Sequence, residues 1–146
     1  MNDTVNLVVG VGASRGVPVD EVYTLVVTAL REAGLSRADV MALATVDAKA
    51  GEPGVVGAAD RLGVPLLTYG AGRLARVPVE NRSPASLRAV GTPSVAEAAA
   101  LAEGGQLLVP KRRSSPTGRA PGVTCAIARR PSRTSQTSAG IGPQGT

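Results

Sequence analysis

Thr45, Asp47, Lys49 and Glu52 fall within eight residues, in the stretch ATVDAKAGEP, where an apolar run gives way to a Pro-started helical pattern. Two carboxylates flanking an ammonium can do either of two jobs. They can cap the helix or pair with the lysine, a structural role. Alternatively, Lys49 meets a substrate carboxylate while Asp47 and Glu52 orient it or handle a proton. Local sequence leaves both open. A second group is Gly10-Val11-Gly12-Ala13-Ser14-Arg15-Gly16. Glycines admit a ligand close to the backbone, a following helix start favours an anion, and Arg15 supplies a planar fork of donors. The same stretch also reads as a tight strand-to-helix turn with an exposed arginine. As a dinucleotide fingerprint it is mis-spaced: Asp47 comes 31 positions after Gly16, where about 20 is expected. The third group is Gly91-Thr92-Pro93-Ser94-Val95-Ala96-Glu97. A helix starts here, either with Thr92 as N-cap before Pro93 or with Ser94-x-x-Glu97 as a capping box. Its leading amides and the Thr92 and Ser94 hydroxyls would then cradle an anion.

What the chain lacks narrows the chemistry further. It has no His, Trp or Phe, two Tyr and one Cys in 146 residues. A His-Cys zinc site, a Ser-His-Asp triad and an imidazole proton shuttle are excluded, and neither a metal nor a cofactor is expected. One cysteine forms no internal disulfide, in keeping with a reducing cytosol. Cys125, on an apolar run, is expected to be an inert core thiol, and Tyr23 and Tyr69 to be packing residues with bonded hydroxyls. The net charge of +5 is uneven. Residues 111–133 hold seven cations and no acid, so the rest of the chain is net −2. That tract invites a nucleic-acid reading, but a chain nearly empty of aromatics offers no stacking platform, and a solvated loop and tail is the plainer expectation. The N-terminal stretch carries Asp3 and no cation, and no run approaches the roughly 20 apolar residues of a spanning helix. A cytoplasmic protein without a membrane partner is expected.

Hydrophobic periodicity supplies the scaffold. Residues 5–9 predict a buried strand ended by glycines. Val22, Leu25, Val26, Ala29, Leu30 and Ala33 then recur at helical spacing, with Pro18 before them and Gly34 after. Residues 40–46 predict a second strand, 52–62 a second helix closed by Gly63, and 65–69 a third strand. A helical turn over 71–74 and a short strand over 87–90 follow. Residues 94–103 predict a helix ended by Gly104 and Gly105, and 107–109 and 123–128 two last strands. Residues 131–146 have little to bury and are expected to be disordered. Alternating strands and helices followed by a strand pair predict a three-layer α/β/α domain over residues 1–130, with a mixed, mostly parallel sheet of five to six strands. Ligands of such sheets bind beyond the carboxyl ends of the strands. All three polar groups are predicted there, which points to one shared crevice.

The segments VGVGASRG, LATVDAKAGEPG, VGTPSVAEAAAL, LLVPKRRS and TCAIAR occur in this order with suitable spacing. Together, over about residues 5–130, they closely resemble the cobalamin-biosynthesis family comprising CobE and the C-terminal domain of CbiG. The resemblance implies a protein that binds or processes a polycarboxylate corrinoid or precorrin intermediate, in the company of other cobalamin-pathway enzymes. The chain is most like the stand-alone branch of that family, which implies an accessory, non-catalytic role. The alternative is the catalytic component of a precorrin lactone hydrolase that needs a partner chain. Residues and resemblance together nominate Gly10, Gly12, Ser14, Arg15, Thr45, Asp47, Lys49, Glu52, Gly91, Thr92, Ser94 and Lys111 as the substrate-binding set, and no catalytic residue. Corrin intermediates are apolar-faced rings fringed with acetate and propionate arms, which suit the charge-assisted hydrogen bonds of Arg15, Lys49 and Lys111. The sequence departs from the family pattern at Ala13 and Ser14, where a Cys and an Arg are usual, and over Val79 to Ser83. It is also expanded between Ser115 and Gly122.

Overall fold

A computed structural model describes residues 6–77, 94–114 and 122–130. Five strands, β1 (Leu7–Ala13), β2 (Val40–Val46), β3 (Leu66–Tyr69), β4 (Gln106–Arg113) and β5 (Val123–Arg129), form one sheet in the order β3-β2-β1-β5-β4. β1 pairs parallel with β2, and β2 with β3, while β5 lies antiparallel between β1 and β4. Four strands therefore share one direction, and the sheet is mixed as expected. The segments 78–93, 115–121 and 131–146, including the strand expected at 87–90 and the expected disordered tail, lie outside the described residues.

Two helices, α1 (Val19–Glu32) and α2 (Pro53–Leu62), cover one face. α1 turns Val22, Leu25, Val26, Ala29 and Leu30 inward, the stripe that its spacing foretells. These residues pack with Val55 and Ala58 of α2 against Leu7, Val9 and Val11, the inward positions on one side of β1. The other face carries α3 (Ala71–Ala75) and α4 (Val95–Ala100). Its core is built from small side chains: Ala44, Ala126 and Ala128 of the sheet meet Ala96, Ala99 and Ala100 of α4.

Two expected boundaries are corrected. β1 does not end at residue 9 but runs to Ala13, so Gly10 and Gly12 are strand residues and not part of a loop. The reason is tertiary. A Cβ on Gly10 would lie 1.9 Å from the Ala96 carbonyl oxygen and 2.7 Å from the Ala100 nitrogen. The glycine admits α4 to the sheet, where the expectation had it admit a ligand. β4, expected over three residues, spans Gln106–Arg113. Its Pro110 is tolerated because β4 is an edge strand, and the pairing shifts register between Val109 and Arg112.

Candidate functional site

β1 and β2 run parallel, so their carboxyl ends open on one edge of the sheet. Ser14, Arg15 and Gly16 follow β1 there, and all three are exposed. Asp47 to Lys49 follow β2 as a single turn of 3-10 helix, and Glu52 stands at the N-cap position of α2 without making a side-chain cap. Ser94 starts α4 above the same edge, since Val95 Cβ sits 3.7 Å from where a Gly12 Cβ would be. Arg113 and Ser114 leave β4 at this end, where Arg113 pairs with Thr124 and Thr124 with Gly12. The structure thus brings the described members of the expected set to one end of the sheet, except Gly10, which lies mid-strand beneath α4. Gly91 and Thr92 lie outside the described residues.

Three carboxylates close this edge against its own backbone. Gly16 N–H donates to Glu52 at 2.7 Å, tying the loop after β1 to the loop after β2. Lys111 N–H donates to Glu97 at 3.0 Å, tying β4 to α4. Gly122 N–H donates to Glu21 of α1 at 3.0 Å, and the Ser114 hydroxyl bonds the same oxygen. The expected capping box is therefore only half made. Ser94 Oγ accepts from Glu97 N–H at 3.0 Å, as an N-cap should. The Glu97 carboxylate crosses to β4 instead of returning to Ser94. Nor do Asp47 and Glu52 cap α2. Thr45 is fully buried, its hydroxyl donating to the Val11 carbonyl at 2.6 Å, so it braces β2 against β1.

The Gly16, Lys111 and Gly122 amides are so occupied, and cationic side chains surround them. Arg15, Lys49, Arg113 and the Lys111 ammonium make no hydrogen bond or ion pair among the described residues. Arg112, by contrast, is paired with Glu32 of α1. A cavity of about 290 Å³ opens at this edge between Gly12, Ser14, Arg113, Gly122 and Thr124. Sequence reasoning missed Arg113, absorbed into the basic tract, and Glu21, hidden in a helix pattern. The tract itself is not one surface. Arg113 stands at the carboxyl edge, while Arg129 pairs with Leu7 and Gln106 at the opposite end.

A larger cavity, about 420 Å³, lies toward that opposite end beside α3, between Arg73, Arg76, Leu101 and Leu107. None of the nominated residues that are described lines it. Tyr69 and Cys125 take the structural roles expected of them. Tyr69 donates to Glu103 at 2.9 Å, and burial followed by that carboxylate raises its pKa. Cys125 is fully buried, and burial pushes its thiol up to about 12. Among the described residues no group of three or more His, Cys, Asp or Glu could hold a metal ion, and no helix is long and apolar enough to cross a membrane.

Comparison with known proteins gives this geometry a context. Protein CobE of Sinorhizobium sp. is 35% identical over 102 residues, covering 68% of this chain and 66% of that relative, just under two thirds of its length. The crystal structure of CobE, a protein from the cobalamin (vitamin B12) biosynthetic pathway, superposes with a TM-score of 0.66 at 33% identity, covering 85% of this chain and 93% of that one. The cobalamin biosynthesis protein chiG from Agrobacterium tumefaciens str. C58 gives 0.65 at 33% identity, over 85% of this chain and 98% of that one. A putative cobalamin biosynthesis protein G homolog from Sulfolobus solfataricus, 19% identical, shares the fold at 0.64 over 87% of this chain and 37% of its own. The family model of the cobalamin synthesis G C-terminus matches residues 7–128, and the chain belongs to that family, a protein of cobalamin biosynthesis.

Proposed function

We propose that the chain binds a polycarboxylate corrinoid or precorrin intermediate at the carboxyl edge of its sheet, and holds or passes it on without transforming it. One observation carries this reading. The edge gathers Arg15, Lys49, Lys111 and Arg113, whose cationic ends make no hydrogen bond or ion pair among the described residues, while Glu21, Glu52 and Glu97 are engaged with backbone amides. Such a surface attracts carboxylate arms, and of the acids placed at it only Asp47 makes no side-chain hydrogen bond or ion pair among the described residues. An accessory role is supported by the Ser14 hydroxyl, which has no base beside it among the described residues, so no activated nucleophile is assembled there. Nucleic acid fits less well, because the basic tract is divided between opposite ends of the β4–β5 pair.

A spectroscopic titration with a polycarboxylate corrinoid tests the reading. Wild-type chain is expected to shift the ligand's absorption without converting it. Arg15→Ala and Lys49→Ala are each expected to weaken binding by roughly 10- to 100-fold, from about 1.5–3 kcal/mol per charge-assisted hydrogen bond. Unchanged affinity in both variants would overturn the site. Turnover of a lactone precursor by the purified chain would replace the accessory role with hydrolysis.

A further inference from the structure

The cavity at the carboxyl edge has a chemistry that the expected set did not include. β4 alternates, so Arg112 turns to Glu32 on the α1 side while Arg113 lines the cavity on the α4 side. Among the described residues no acidic side chain lines it. The Thr124 hydroxyl reaches only a long 3.5 Å contact with the Gly12 carbonyl, and the Ser14 hydroxyl is unbonded among the described residues. Gly12 keeps the space open, because a Cβ there would stand 2.8 Å from Thr124 Oγ1. Just outside stands Val95, one of two large apolar residues exposed among those described, at 39%. The cavity, about 290 Å³, lies at the lower limit of the roughly 300–1,000 Å³ pockets that enclose a whole small ligand. It is too small for a four-ring macrocycle and large enough for one flexible acid arm.

We propose that this cavity is a subsite for a single carboxylate arm of the ligand, with Arg113 as the residue that pairs with it and Thr124 and Ser14 as hydroxyl partners. The macrocycle stays outside, its apolar face beside Val95. Arg113 is then a specificity residue, because a guanidinium fork pairs with a carboxylate and gains far less from an amide. The chain therefore selects a corrinoid whose arm at this position is still a free acid. This inference rests on corrinoid binding at the same edge, and the test separates the two.

Cobyrinic acid, whose arms are free carboxylates, and cobinamide, whose corresponding arms are amidated, are titrated against wild type, Arg113→Ala, Arg113→Lys and Arg112→Ala at low and moderate salt. Wild type is expected to prefer cobyrinic acid. Arg113→Ala should lose about 10- to 100-fold of that affinity with an unchanged melting temperature, and Arg113→Lys should recover part of it. Arg112→Ala removes an equal charge one residue away and should bind like wild type. Failure of wild type to bind either corrinoid removes the proposed function. Binding of cobyrinic acid with no loss in Arg113→Ala leaves that function standing and overturns the arm subsite. Equal, salt-sensitive losses in the two arginine variants would also overturn it, assigning the effect to diffuse charge.

Discussion

Thr45 shows how a residue of the right type in the right place can still be structural. Its position at the end of β2 is the one a ligand-binding hydroxyl would occupy, and sequence alone cannot distinguish the two uses. The structure spends the hydroxyl on the Val11 carbonyl at 2.6 Å, where it is sealed from solvent. Thr45→Val keeps the shape and leaves that carbonyl without this donor. It is expected to destabilise the chain by about 1–3 kcal/mol, seen as a lower urea midpoint with an unchanged slope. A stability equal to wild type would return Thr45 to the ligand. Cys125 makes the opposite point, since an apolar run and a lone thiol sufficed to foresee a buried, unreactive side chain. Its pKa is raised from 9.0 to about 12 by burial. Both states keep the proton below pH 9, and above it only the unfolded chain ionises readily. Stability should therefore fall as pH rises through the window from 9 to 12, and less steeply in Cys125→Ala. Alkylation at pH 8 should be slow in the folded chain and fast in urea. Rapid labelling of the native protein would refute the burial account.

Elements were legible wherever local chemistry defines them. The expected strand over 40–46 coincides with β2, and α1 and α2 end against Gly34 and Gly63, both at positive φ. The boundaries that moved were those set by neighbours distant in sequence. Gly10 and Gly12 look like a loop until α4 is laid across them, and nothing local announces a helix packing on backbone. Gly10→Ala is accordingly expected to cost about 1–3 kcal/mol or more, the range for overpacking a tight interface, with the loss read as a drop in urea midpoint. A neutral result would return Gly10 to a ligand-facing loop. β4 extends beyond the expected 107–109 because an edge strand accommodates Pro110 and three successive cations, which locally resemble a solvated segment. The same likeness hides Arg113. Glu97 was legible as a helix-start residue, but its acceptor role belongs to β4. In Glu97→Ala, amide exchange should quicken at Lys111, whereas a complete capping box would have exposed the Ser94 amide instead. Protection lost at Ser94 alone would restore the box.

For the whole molecule, the arrangement separates the groups that hold the carboxyl edge together from those that face a ligand. The ties formed by Glu21, Glu52 and Glu97 join separate elements, the widest linking Glu21 to Gly122, 101 positions apart in the chain. Glu21 also holds the Ser114 hydroxyl, which is 5% exposed and itself accepts from the Val123 N–H at 3.3 Å. Removing that carboxylate strands a hydroxyl and an amide at the base of the β4–β5 pair, next to the strand that carries Cys125 and Ile127 into the core. The Arg15 and Lys49 side chains, by contrast, make no hydrogen bond or ion pair among the described residues, so alanine at either position breaks no such tie. Two orthogonal outcomes are therefore expected. Glu21→Ala should lower stability by about 1.5–3 kcal/mol, the range for hydrogen bonds to a charged group, and it should still bind a polycarboxylate corrinoid below its melting transition. Arg15→Ala and Lys49→Ala should melt with wild type and bind weakly. Thermal melts run beside spectroscopic titrations on the three variants measure both axes at once. If Glu21→Ala melted with wild type, or if the arginine and lysine variants lost stability and affinity in proportion, scaffold and binding surface would be one network and the separation would be wrong.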